Sequence, residues 1–147
     1  MKKNIIILFT ISVFLFSCEK PEDLTNQIDI TEFNWKVKSL TINTKKTNTP
    51  ERNYFDNEID DIEAYKLQFN SDTTLRIDMS INQISGSYII TSQGKIEISD
   101  IVVTFICCDT EFDEDLAIKL PTVTEYQVLD NNLILKGENC EIELEKQ

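Results

Sequence analysis

Residues 65–90 read YKLQFNSDTTLRIDMSINQISGSYII, and their alternation decides the fold. Tyr65, Leu67 and Phe69 alternate with Lys66 and Gln68. After the turn-forming NSDT (70–73), Leu75, Ile77, Met79 and Ile81 alternate with Arg76, Asp78 and Ser80. A period of two places the apolar residues on one face of a strand and the polar ones on the other, so each strand has one wet face. Two such runs joined by a short polar turn form an antiparallel hairpin.

The same signal extends in both directions. SQGK (92–95) separates SYIIT from KIEIS, with Gly94 where a positive φ costs little. YQVLDNNLIL puts Asn131-Asn132 in a tight turn, and in CEIELE the residues Cys140, Ile142 and Leu144 alternate with glutamates, which turns Cys140 toward the core. In WKVKSLTIN the apolar phase slips from Trp35 and Val37 to Leu40 and Ile42. That slip predicts a β-bulge near Ser39, and bulges bend strands as a barrel requires. Asn43–Glu63 lacks alternation and holds Pro50, so it reads as a long surface loop.

One stretch has a different period. In CDTEFDEDLAIKLPTV, Phe112, Leu116 and Leu120 recur every four residues, Asp109 or Thr110 can cap the first turn, and Pro121 ends the run. A helix of about ten residues follows from this pattern. Its acids Glu111, Asp113, Glu114 and Asp115 suit a first helical turn and are expected on a solvated face. The expected fold class is therefore α+β, mostly β: a curved antiparallel sheet or partly open β-barrel with one helix packed against it.

The amino terminus carries an address. Lys2 and Lys3 precede an apolar run, Ile5 to Phe16, too short for the ~20 residues of a membrane-spanning helix. This is the layout of a secretory signal peptide. Leu15-Phe16-Ser17-Cys18 resembles the lipobox of bacterial lipoproteins, which implies cleavage before Cys18, so that Cys18 becomes the new N-terminus, with a diacylglyceryl group on its sulfur and palmitate among the acyl chains it carries. Residues 1–17 are then the signal peptide, 18–32 a flexible tether and 33–147 the domain. With two or more acyl chains the membrane is a lasting partner.

Composition bears on what the domain can do. The 147 residues carry a net charge of −12, which repels nucleic acid and offers no basic stripe for phosphate. There is no histidine, so neither a Ser-His-Asp nor a Cys-His arrangement can be built. Three glycines, at 86, 94 and 137, make no phosphate-cradling loop. A two-carboxylate hydrolase needs no local spacing and stays compatible with the composition. Beyond Cys18 there remain Cys107, Cys108 and Cys140, which suit at most one intramolecular bridge and do not make the usual zinc spacing. The acidic run DNEIDDIE (56–63) departs from a calcium loop, since Asp61 stands where glycine is needed. No cofactor and no metal are expected.

The order of parts resembles the META/HslJ-like domain family. Trp35 and Val37, Phe69, the step Asn82-Gln83-Ile84-Ser85-Gly86-Ser87-Tyr88, Thr104 with Cys108, the helix through Leu116 and Leu120, and Val123, Tyr126, Leu133 and Leu135 carry the likeness. It implies a bent sheet around one helix, a place in the cell envelope, here on the outer membrane, and a role in stress response, motility or secretion with no catalytic residue to carry over. Family members often have Gly-Cys-Asn where this chain has Ser80-Ile81-Asn82, so the cysteine matching Cys108 lacks that partner. Cys140 can stand in, either as a Cys108–Cys140 bridge or as two neighbouring thiols. Asn82 and Gly86 are read as residues that tolerate a sharply bent strand, and Trp35 and Tyr88 as core aromatics. Two functional readings follow: a non-catalytic envelope protein acting through contacts with an unidentified envelope protein, and a module binding a small apolar ligand in a half-open barrel. An apolar patch or a cavity of several hundred Å³ beside Phe112 would favour the second, and a filled interior the first.

Overall fold

The computed structural model describes residues 29–50, 64–106 and 109–147. Among the described residues nine strands and one α-helix form the fold. They are β1 (Asn34–Ile42), β2 (Lys45–Asn48), β3 (Lys66–Phe69), β4 (Thr74–Asp78), β5 (Gln83–Ser92), β6 (Lys95–Val103), β7 (Val123–Leu129), β8 (Asn132–Gly137) and β9 (Cys140–Lys146), with α1 (Glu111–Lys119) between β6 and β7.

Each strand pairs antiparallel with its neighbours in the order β2-β1-β3-β4-β5-β6-β7-β8-β9, and β9 returns to β1. Eight strands thereby close a barrel, while β2 stands outside the ring. One edge of β1 is taken by β9 along its length; the other is shared, by β3 at Asn34–Lys36 and by β2 at Ser39–Ile42. The fold is the expected α+β, mostly β barrel with one helix, and the ring is closed, with a thin seam between β6 and β7. There the register pair is Lys95 with Glu125, tied by their side-chain ion pair and by the Tyr126 N–H donating to Gly94 O at 2.9 Å.

Closure depends on local bending. The register of β1 against β9 shifts between Val37 and Ser39, where the apolar phase slip placed a bulge. A second bulge sits where β5 meets β6, between Ser85 and Ser87, and Gly86 lies at its centre. A Cβ on Gly86 would stand 2.6 Å from Ile101 Cδ1 and 2.9 Å from Ser99 O, so only glycine lets the strands approach this closely. Gly94 takes a φ of +71° in the β5–β6 turn. The β7–β8 turn falls on Asp130-Asn131 instead of Asn131-Asn132, since Leu129 pairs with Asn132 and Asp130 takes the positive φ.

In an eight-stranded barrel the interior is just wide enough for side chains to fill it. Here Trp35, Leu67, Ile77, Ile84, Leu133, Leu135 and Leu144 are fully buried in one core, with Phe69 and Tyr88 meeting edge to face at 4.9 Å. The core aromatics Trp35 and Tyr88 are where the alternation put them.

Two segments close the barrel ends. At one end Ile30 is buried and its carbonyl accepts from Trp35 Nε1 at 2.9 Å, within a 3-10 turn at Ile30–Glu32. Residues 29–32 therefore belong to the domain and not to the expected tether, because burying Ile30 outweighs the polar character of its neighbours. At the other end lies α1, which buries Phe112 and Leu116, with Leu120 following in a 3-10 turn. Each buried side chain of this size contributes about 1.5–3 kcal/mol. Strand β2 occupies part of what the sequence reads as loop: KKTN has no apolar alternation, and all four residues are exposed. Residues 51–63, including the acidic run at 56–63, lie outside the described residues.

Candidate functional site: the helix-capped mouth of the barrel

The helix starts on a reciprocal cap. Thr110 Oγ1 accepts from the Asp113 backbone N–H at 3.2 Å, and Asp113 Oδ2 accepts from the Thr110 N–H at 3.0 Å, so two otherwise unpaired amide donors are satisfied together. Asp113 is 1% exposed. This corrects the expectation that all four helix acids face solvent: Glu111 and Glu114 do, whereas Asp113 points inward.

A buried carboxylate must be paid in hydrogen bonds, and this one is. Its Oδ1 accepts from the Tyr65 hydroxyl at 2.8 Å, and Oδ2 accepts from Ser80 Oγ at 2.9 Å and Thr110 Oγ1 at 3.0 Å. Tyr65 holds a φ of 65°, uncommon for a bulky residue, and is fixed there on both sides. Its N–H donates to Asp78 O, and its carbonyl accepts from Val37 N–H at 2.8 Å. Its ring meets Phe112 edge to face at 5.4 Å. Burial, then the hydrogen bond to Asp113 and the carboxylate's charge, push the Tyr65 phenol well above the ordinary tyrosine range.

Asn82 forms a second tie. It is 3% exposed; its Nδ2 donates to Asp109 Oδ1 at 2.6 Å, and its Oδ1 accepts from the Ile106 N–H at 2.8 Å and Thr104 Oγ1 at 3.3 Å. Its φ is not positive, so turn geometry is not the reason for asparagine here. The side chain clamps the linker from β6 to α1.

Beside this cap runs a groove of about 410 Å³, lined by Leu40, Ile42 and Phe112 below, by Lys45 to Asn48 of β2 on one wall, and by Glu111 and Asp115 on the other. The two carboxylates stand at i and i+4 on the same wall, not across the cleft from each other. Glu143, near this mouth, is held below the usual glutamate range, first by its hydrogen bond from Lys46 at 2.6 Å. Among the described residues no group of three or more metal-ligating side chains converges.

The sequence singled out few of these residues. Thr110 was legible as a cap, but the partnership of Asp113 with Tyr65 and Ser80 joins positions 48 and 33 residues apart and leaves no local trace. The T-x-x-D spacing of a capping box is the signal that could have turned Asp113 inward. Cys140 is buried with a free thiol, its Sγ 3.4 Å from Thr122 Oγ1. Cys18 and the expected neighbour Cys108 lie outside the described residues.

The model of the META domain family matches residues 29–146, and the chain belongs to that family. Among curated proteins the chain finds no match. Three solved structures share the fold, and two of them illustrate the likeness. One is a crystal structure of a DUF4847 family protein from Bacteroides vulgatus, at a TM-score of 0.54 and 17% identity, covering 79% of this chain and 93% of that one. The other is an NMR structure of a protein from Burkholderia xenovorans, at a TM-score of 0.57 and 15% identity, covering 80% and 83%.

Proposed function

We propose that this protein is a lipid-anchored envelope protein, held on the outer membrane through Cys18, whose META domain works by non-catalytic contact with another envelope protein as an accessory, stress-response or assembly factor. The observation that carries the contact reading is the filled barrel. Its interior is occupied by its own side chains, and the carboxylate at its mouth already receives the Tyr65, Ser80 and Thr110 donors. A side chain committed in this way has little capacity left for a substrate proton. The groove beside Phe112 lies where a small apolar ligand would be sought, but Lys45, Lys46, Glu111 and Asp115 line it, and one side is open. Ligand pockets are mostly apolar and enclose most of their ligand, so this lining favours a polypeptide. The lipobox at Leu15-Phe16-Ser17-Cys18 supports the anchor.

The test is fractionation and cross-linking in the native envelope. Wild type is expected in the membrane fraction with an acylated Cys18 and a reproducible protein cross-link, and Cys18→Ala in the soluble fraction. An unacylated mature protein that still sediments with membranes would refute the anchor. Absence of any protein cross-link would refute the contact reading.

A further inference from the structure

We propose that the outer edge of β2, unpaired among the described residues, with the groove between it and α1, receives an extended basic segment of a partner polypeptide as an added strand; this deepens the contact reading above and rests on it. The backbone defines the occupant as a peptide. In the β1–β2 hairpin Ile42 pairs with Lys45 and Leu40 with Thr47, and the Thr49 N–H donates to Lys38 O at 2.9 Å. Bonded pairs alternate along an antiparallel ladder, so 42/45, 40/47 and 38/49 are the bonded pairs. The N–H and C=O groups of Lys46 and Asn48 therefore point away from β1. No strand among the described residues pairs with that edge. Alternating donors and acceptors in this spacing suit another extended chain and little else.

The groove sets the side chains. Lys45 and Thr47 share the face of Leu40 and Ile42, so alternate residues of an added strand face the apolar floor at Phe112, Leu40 and Ile42. The opposite wall presents Glu111 and Asp115, four residues apart on one helix. Among the described residues neither has an ion-pair partner. Like charges at that spacing weaken a helix, so the pair is a standing demand for a cation. On the strand side Lys46 is neutralised by Glu143, which leaves Lys45 as the one cation against the two acids among the described groove residues. A second copy of this chain would bring a further −12 against the acidic wall, whereas a basic segment relieves it. Edge lysines discourage indiscriminate pairing, so the wall selects among strands by charge.

The test uses the purified full-length protein in detergent, labelled for NMR, and a synthetic peptide of about ten residues alternating lysine and valine. A glutamate–valine peptide of equal length is the control. The basic peptide is expected to shift and protect the Lys46 and Asn48 amides, and the acidic one to leave them unchanged. Asn48→Pro removes an outward N–H without touching the β1 ladder and should weaken binding roughly tenfold. Glu111→Gln with Asp115→Asn should weaken it about fivefold and flatten its salt dependence. Equal binding of both peptides, shifts that map to other strands, or self-association through β2 would overturn the proposal. If these variants leave an envelope cross-link unchanged, the contact reading stands and this site falls.

Discussion

The Tyr65 phenol donates a 2.8 Å hydrogen bond to Asp113 Oδ1, and that contact joins the entry of β3 to the first turn of α1. It makes the helix cap part of the barrel: the carboxylate that pairs with Thr110 to start the helix also receives Ser80, beyond the end of β4.

Asp113→Ala removes the acceptor of all these donors, leaving the buried Tyr65 phenol without its partner and the half-buried Ser80 and Thr110 groups to bond water. The expected loss is about 2–4 kcal/mol of unfolding free energy. Glu114→Ala, one position along on the exposed face, should stay within about 0.5 kcal/mol. Urea denaturation of both variants checks the contrast, and equal midpoints would show that the cap does not hold the mouth.

The raised Tyr65 phenol makes stability depend on alkali. A group whose pKa is higher in the folded state than in the unfolded one stabilises fully below its unfolded value, near pH 10 for tyrosine, and loses that contribution as pH rises toward the folded value. Unfolding free energy is therefore expected to fall above about pH 10, and Tyr65→Phe to remove part of that fall while costing about 1–2 kcal/mol at neutral pH through the lost hydrogen bond. Thermal melts from pH 7 to 11 read both effects; an unchanged alkaline slope in the phenylalanine variant would contradict the assignment.

Asn82→Ala cuts the ties to Asp109, Ile106 and Thr104 together. A loss of roughly 2–3 kcal/mol is expected. Faster amide exchange at Thr104 and Ile106 should accompany it, with the β3–β4 hairpin unaffected. Uniform acceleration across the barrel would mean that Asn82 serves the whole fold and not the linker.

Gly86→Ala tests the bulge. The added methyl meets the Ser99 carbonyl, which cannot rotate away as the Ile101 side chain can, so about 1–3 kcal/mol should be lost. A variant as stable as wild type would show that β6 yields at this point.

Much of the barrel follows from local rules. Trp35, Leu67, Phe69, Leu75, Ile77, Leu133 and Leu135 went inward because a period of two admits one face, and the slip at Ser39 located a bulge because no regular strand can carry it. Phe112, Leu116 and Leu120 set the buried side of α1 by the same reasoning at a period near four. What escaped is what depends on distant partners. Strand β2 has no apolar pattern and exists because β1 outruns β3 and offers it an edge. Closure rests on β9 meeting β1 about a hundred residues away, where both strands' buried faces need a common core. Asp113 is the sharpest case: its sequence neighbours are acids on a wet face, and only folding brings Tyr65 and Ser80 within hydrogen-bond reach of it. Periodicity fixes which way a side chain faces, whereas the tertiary structure decides what it meets there, because hydrogen-bond partners are chosen by proximity in space and not by spacing along the chain.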